Sequence, residues 1–113
     1  MKYCISILLL LVVVFPMGCA KPGIYSWGPY ERSIYVMYKP EGGYTPESQA
    51  ERLEAHMERA SNYDKPLPPG FHAHLGYLYY QMGRVDLARK MFEQEKTLYP
   101  ESVVMIDRLL KNL

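Results

Sequence analysis

The stretch Pro69–Pro100, PGFHAHLGYLYYQMGRVDLARKMFEQEKTLYP, constrains what this chain can fold into more than any other. Phe71, Leu75, Leu78, Tyr79 and Met82 recur at three- and four-residue steps, the period of one buried helix face. Ala88, Met91, Phe92, Glu95 and Leu98 repeat the pattern. Between the two runs lies Met82-Gly83-Arg84-Val85, where Gly83 suits the left-handed backbone that closes a helix. Pro100 stands just past the last turn of the second run, a place where helices stop. The stretch predicts a pair of packed helices.

Glu95 is the one charged residue on these stripes. A buried carboxylate is costly unless it is paired and hydrogen-bonded. Either it is buried with a partner, for which Tyr79, His72 and Arg108 are the candidates, or it lies at the edge of the stripe and reaches water. A buried side-chain pair predicts that Glu95→Leu keeps or raises the melting temperature while Glu95→Ala lowers it.

Over the 34-residue frame Pro69–Ser102 the chain resembles a tetratricopeptide repeat. Leu75-Gly76, Tyr79, Ala88, Phe92 and Pro100 fall at the spacing of that repeat's Leu-Gly, Tyr, Ala, Phe and Pro signature. His72 stands where the family usually has Trp, and Glu95 where it has a small residue. The resemblance implies a helix pair that works by holding partners. It also implies that Ala73, Tyr77, Tyr80 and Gln81 face a concave groove, with Arg32 and Tyr35 of an earlier helix extending the wall. Tyr77 and Tyr80 fall off the core stripe, and exposed tyrosines offer rigid, amphipathic contact area. The plainer alternative is ordinary surface tyrosine, or packing against the Pro66–Pro69 connector.

The first eighteen residues read as a segment removed before folding. Lys2 supplies a positive start, Ile5–Phe15 is almost wholly apolar, and Pro16-Met17-Gly18 leads into Cys19. Gly18-Cys19 resembles the lipobox of bacterial lipoproteins, although Pro16 replaces the usual Leu. An uncleaved anchor is the alternative, since Tyr3–Ala20 is 18 residues, the lower edge of a membrane span. The switch at Cys19 to a polar, Pro- and Gly-bearing segment favours cleavage. The resemblance implies a diacylglyceryl group and an N-acyl chain on Cys19, and two or more chains make a stable anchor. Ala20, in place of the Asp that retains many such proteins at the inner membrane, points to the outer membrane.

Removal of 18 from 113 residues leaves 95, with 12 basic residues against 12 acidic ones once Lys2 is gone. A balanced charge gives no electrostatic footprint for nucleic acid. Cys4 leaves with the signal and Cys19 takes lipid, so no disulfide is available and an apolar core must hold the fold.

Residues 19–28 read as a lipidated tether ending in Tyr25 and Trp27, and 29–113 as the helical domain. Trp27 could sit at a membrane surface or pack on the first helix. The second is favoured, because Tyr30, Ile34, Met37 and Tyr38 continue a helical stripe. Trp27, Tyr30 and Ile34 are also spaced like the first half of a tetratricopeptide unit, with Glu31 replacing its Gly, so a degenerate first repeat is expected. Thr45-Pro46 starts the next helix as N-cap and first residue. That helix should run to about Asn62 and bury Ala50, Leu53, Met57 and Ala60. Its opposite face, Glu47, Glu51, Arg52, Glu54, Glu58 and Arg59, mixes both charges and reads as solvated rather than as a metal or acid–base site. Lys65–Gly70 is a stiff, Pro-rich corner. Val103, Ile106, Leu109, Leu110 and Leu113 form a last amphipathic helix that caps the array. The expected fold is all-α, a short helical-repeat array of about five helices.

Little in the chain carries chemistry. His72 and His74, two apart, point to different sides of a helix and cannot chelate one metal together. No nucleophile elbow, phosphate-binding Gly loop or His-Glu-x-x-His motif occurs. The expectation is a protein that is not an enzyme and carries no cofactor or metal.

Taken whole, the chain resembles a family of small, uncharacterised bacterial envelope lipoproteins. The resemblance lies in Trp27-Gly28-x-Tyr30-Glu31, in Pro69-Gly70-x-His72-Ala73-x-Leu75-Gly76, and in Glu93-x-Glu95-Lys96 with Pro100-Glu101-Ser102. Genes of that family tend to lie beside one for a lipoprotein related to the curli secretion channel. The resemblance implies a subunit or accessory factor of an envelope or secretion assembly, and no activity. With the lipid on Cys19 and the aromatic groove, the expectation is an adaptor on the periplasmic face of the outer membrane. A glycan- or small-ligand-binding accessory lipoprotein is the alternative.

Overall fold

The computed structural model describes residues 23–39 and 44–113. The signal segment, Cys19 and the start of the tether lie outside these residues. The described residues form five α-helices: α1 (Tyr30–Tyr38), α2 (Pro46–Asn62), α3 (Phe71–Gln81), α4 (Val85–Leu98) and α5 (Val103–Lys111). A 3-10 turn, Pro100–Ser102, links α4 to α5. No strand occurs among the described residues, so the all-α expectation holds.

Local chemistry sets the helix ends. At the start of α2 the Thr45 hydroxyl accepts from the Ser48 amide at 3.2 Å while the Ser48 hydroxyl accepts from the Thr45 amide at 3.2 Å. With Pro46 as the first helical residue, orphan donors are satisfied reciprocally. At the end of α3, Gly83 takes φ +73°. Its amide donates to Tyr80 and the Arg84 amide to Tyr79, both at 2.9 Å, the paired closure that needs a left-handed residue.

The helix pair α3/α4 is the most closely packed, with α2 against α3 and α5 against α4. Leu53, Phe71, Leu75, Leu78, Ala88, Phe92 and Ile106 are sealed from water, and Leu109, Leu110 and Leu113 pack on this core from the C-terminal end. Gly76 permits the approach. A Cβ there would lie 2.8 Å from Phe92 Cε1 and 3.2 Å from the Ala88 carbonyl oxygen. Gly76→Val is therefore expected to lower stability by about 2 kcal/mol through overpacking. In a thermal melt followed by circular dichroism this is a drop of roughly 10 °C, and an unchanged midpoint would refute the close-packing account.

Three expectations are corrected. Leu98, read as the last core residue of α4, is 57 % exposed. Tyr99 turns inward in its place, and its hydroxyl donates to the Leu67 carbonyl. Tyr38 is exposed, and α1 instead buries Ser33 and Val36. A polar Ser33 can be buried because its hydroxyl meets Gln49 and His74. Finally, α1 and α2 do not form a helix pair as close as α3/α4, so the degenerate first repeat is not a tightly packed hairpin. Side chains tie α1 in: the Tyr30 ring lies 5.6 Å from that of Phe71 and 6.0 Å from that of His74.

Candidate functional site

The six residues expected to line one groove do not come together. Tyr77 and Tyr80, on the outward side of α3, converge with Phe92 of α4 and with Leu109, Asn112 and Leu113 at the C-terminal end. Together they line a cleft of about 170 Å³ whose walls are almost wholly apolar. Tyr77 is 37 % and Tyr80 44 % exposed, so both rings present a face to solvent. Helical spacing positions them, since residues three apart on α3 share one side. Gln81 is exposed at the end of the same helix.

Ala73 is not part of this surface. It is buried, and its amide is engaged within the domain. Arg32 lies elsewhere, with Tyr44 and Arg52 beside a small recess that also takes in Ser33, Val36 and Gln49. Its guanidinium carbon is 5.7 Å from the Tyr44 ring centre, and that of Arg52 is 5.0 Å away. The Arg32 Nε donates to the Tyr44 hydroxyl at 3.4 Å, and hydrogen bonds from Arg32 and then Arg52 hold that hydroxyl below the ordinary phenol value. Tyr35 is 58 % exposed and carries the Lys39 ammonium 5.5 Å from its ring centre.

Sequence reasoning missed the far wall of the cleft. Leu109 and Leu113 were expected only to cap the core, yet both also border the tyrosines. The available signal was position: their apolar stripe runs on to the last residue of the chain, beyond Lys111 where α5 ends.

Glu95 is buried, at 1 % exposure. Its partner is none of the three side chains expected. Oε1 accepts the Gly70 amide at 2.6 Å and Oε2 the Ala73 amide at 3.3 Å. Gly70 is the N-cap of α3, with φ +89° and no side chain to cap with. Glu95 therefore reaches across from α4 and supplies the acceptor that α3 lacks. His72 Nδ1 lies 3.9 Å from Oε2 and has no hydrogen-bond partner. Burial lowers the pKa of His72, so the ring is neutral near pH 7 and the two groups are not an ion pair.

Other buried polar groups are joints between helices. The Ser33 hydroxyl donates to Gln49 Oε1 at 2.7 Å, which leaves its oxygen to accept from His74 Nε2 at 2.8 Å. This bond requires a proton on Nε2. Burial pushes the His74 pKa down to about 4. The Tyr79 hydroxyl donates to Glu54, which was read as part of a solvated face. Burial first, and then that bond, raise the tyrosine to about 12. His56 Nε2 donates to the Ser26 carbonyl at 3.0 Å, joining the N-terminal segment to α2.

Among the described residues, no three His, Cys, Asp or Glu side chains come together as a metal site, and no helix is long and apolar enough to cross a membrane. The geometry offers an apolar, aromatic-walled surface suited to binding.

A family model described as "Domain of unknown function (DUF4810)" matches residues 24–109. No curated protein and no solved structure matches the chain.

Proposed function

The chain belongs to the DUF4810 family, and we propose that it is a lipid-anchored adaptor of the bacterial cell envelope that holds a partner lipoprotein in its tyrosine cleft. One observation carries this reading: Tyr77 and Tyr80 stand half-exposed over an apolar cleft completed by Phe92, Leu109 and Leu113. Two rigid aromatic rings around an apolar recess are the composition of an interface anchor point. A recess of this size takes one or two apolar side chains of a partner segment. Lipidation at Cys19 would hold the domain at the periplasmic face of the outer membrane. The resemblance to envelope lipoproteins, whose genes tend to lie beside one for a lipoprotein related to the curli secretion channel, supports that channel-like protein as the partner. Arg32, Tyr35 and Gln81 then serve as separate, secondary contact points.

The test is affinity purification of the tagged lipoprotein from envelope extracts, alongside Tyr77→Ala/Tyr80→Ala. The wild type is expected to recover the channel-like lipoprotein. The variant should recover about tenfold less or lower, as for hot-spot aromatics, with an unchanged melting temperature. Equal recovery by both proteins would place the binding surface elsewhere. Asn112 at the rim of the cleft supports a second reading, an accessory factor that stacks a sugar ring on the tyrosines. That reading is favoured if no protein is retained but glycan fragments quench tyrosine emission in the wild type alone.

A further inference from the structure

Ile24 and Trp27 have no part in the cleft, yet both are large apolar side chains held at the surface, 79 % and 43 % exposed. The two residues between them turn inward. The Ser26 amide donates to the Pro66 carbonyl at 2.8 Å, and His56 Nε2 donates to the Ser26 carbonyl at 3.0 Å. The Tyr25 ring meets that of Tyr99 edge-on at 6.4 Å. Gly28, at φ +48°, passes so close to His56 that a Cβ would lie 2.3 Å from the imidazole. Trp27 is stacked on Tyr30 at 6.2 Å, with 23° between the planes. The segment from Tyr25 onward is thus part of the folded body, and its outward side is apolar and aromatic.

From Cys19 to Gly23 there are only four peptide links. At 3.8 Å each they reach at most about 15 Å. This inference rests on the lipidation of Cys19 proposed above: a lipidated Cys19 at the headgroup level keeps Gly23 within about 15 Å of the bilayer, with Ile24 and Trp27 directly beyond it. The tether keeps the domain beside the membrane, and the surface next to it is the one whose side chains favour the interface. We infer that the Ile24/Trp27 face lies on the lipid surface and fixes the orientation of the domain there. The occupant is a lipid surface without charge preference, since the processed chain carries 12 basic and 12 acidic residues. Orienting the body in this way limits the directions from which a partner can enter the Tyr77/Tyr80 cleft.

Trp27 is the only tryptophan of the chain and reports on itself. The full lipoprotein, purified from membranes, is reconstituted into phosphatidylcholine vesicles with or without bromine on the acyl chains. Trp27 emission should shift to shorter wavelength, be quenched by the brominated lipid, and lose its quenching by aqueous iodide. Ile24→Asp, at a position 79 % exposed, should restore iodide quenching and weaken bromine quenching while the protein still floats with the vesicles. Mass spectrometry of the N-terminal peptide separates the two claims. An acylated Cys19 with Trp27 open to iodide and untouched by bromine overturns this inference alone. An unmodified Cys19 overturns the inference together with the lipoprotein reading.

Discussion

Glu95→Ala is expected to destabilise the domain by about 4 kcal/mol, because two enclosed backbone donors lose their acceptor at about 1–3 kcal/mol each and a cavity remains. The amides of Gly70 and Ala73 belong to the first turn of α3. Ala73 stays buried and Gly70 half-buried whatever replaces the glutamate. Glu95→Leu should therefore be nearly as harmful as Glu95→Ala, although it refills the volume. This reverses the outcome expected for a pair of side chains, where an apolar replacement is tolerated because both charges can be removed. Here one partner is the main chain. Glu95→Gln keeps one acceptor oxygen and should lose about half as much. Urea unfolding of the four proteins measures the order directly, and a Leu variant as stable as wild type would exclude the capping role.

Acidification should remove about 3 kcal/mol of stability through His74 alone, counted at about 1.4 kcal/mol per unit between an unfolded value near 6.5 and the folded value of about 4. The folded pKa is the lower one, so the unfolded chain binds the proton first. The contribution is complete above pH 6.5, is lost as the pH falls from there towards 4, and is constant below. Burial of His72 acts in the same direction. His74→Gln presents an amide N–H where the imidazole Nε2–H meets Ser33, without a group that titrates. The difference in unfolding free energy between variant and wild type, measured at pH 7, 5.5 and 4, should shift by about 3 kcal/mol in favour of the variant. A difference independent of pH would show that His74 does not titrate on unfolding.

Both predictions turn on contacts between distant parts of the chain, and there the reading from sequence was incomplete. It located Glu95 on a buried stripe but offered side chains as partners, because main-chain donors have no signature in residue identity. It named Tyr77 and Tyr80 as exposed, since the three-residue step is local. It joined Arg32, Tyr35 and Ala73 to them by analogy with a repeat whose regular geometry this chain does not keep between α1 and α2. His56 went unremarked, because a buried polar residue looks like a surface one until its hydrogen-bond partner is brought to it.

The sequence by itself determined the elements. Periodicity set which helices form. Thr45-Pro46, Gly83 and Pro100 set where three of their ends fall, through backbone angles and capping groups that act within a few residues. Only the tertiary structure decided how those helices use their polar groups. It alone placed Glu95 under the N-terminus of α3, Ser33 between Gln49 and His74, and Leu109 beside Tyr77 and Tyr80. Each of these joins residues 16 or more positions apart. Such contacts depend on the angles at which helices cross, which follow from the packing of whole side chains rather than from any local pattern.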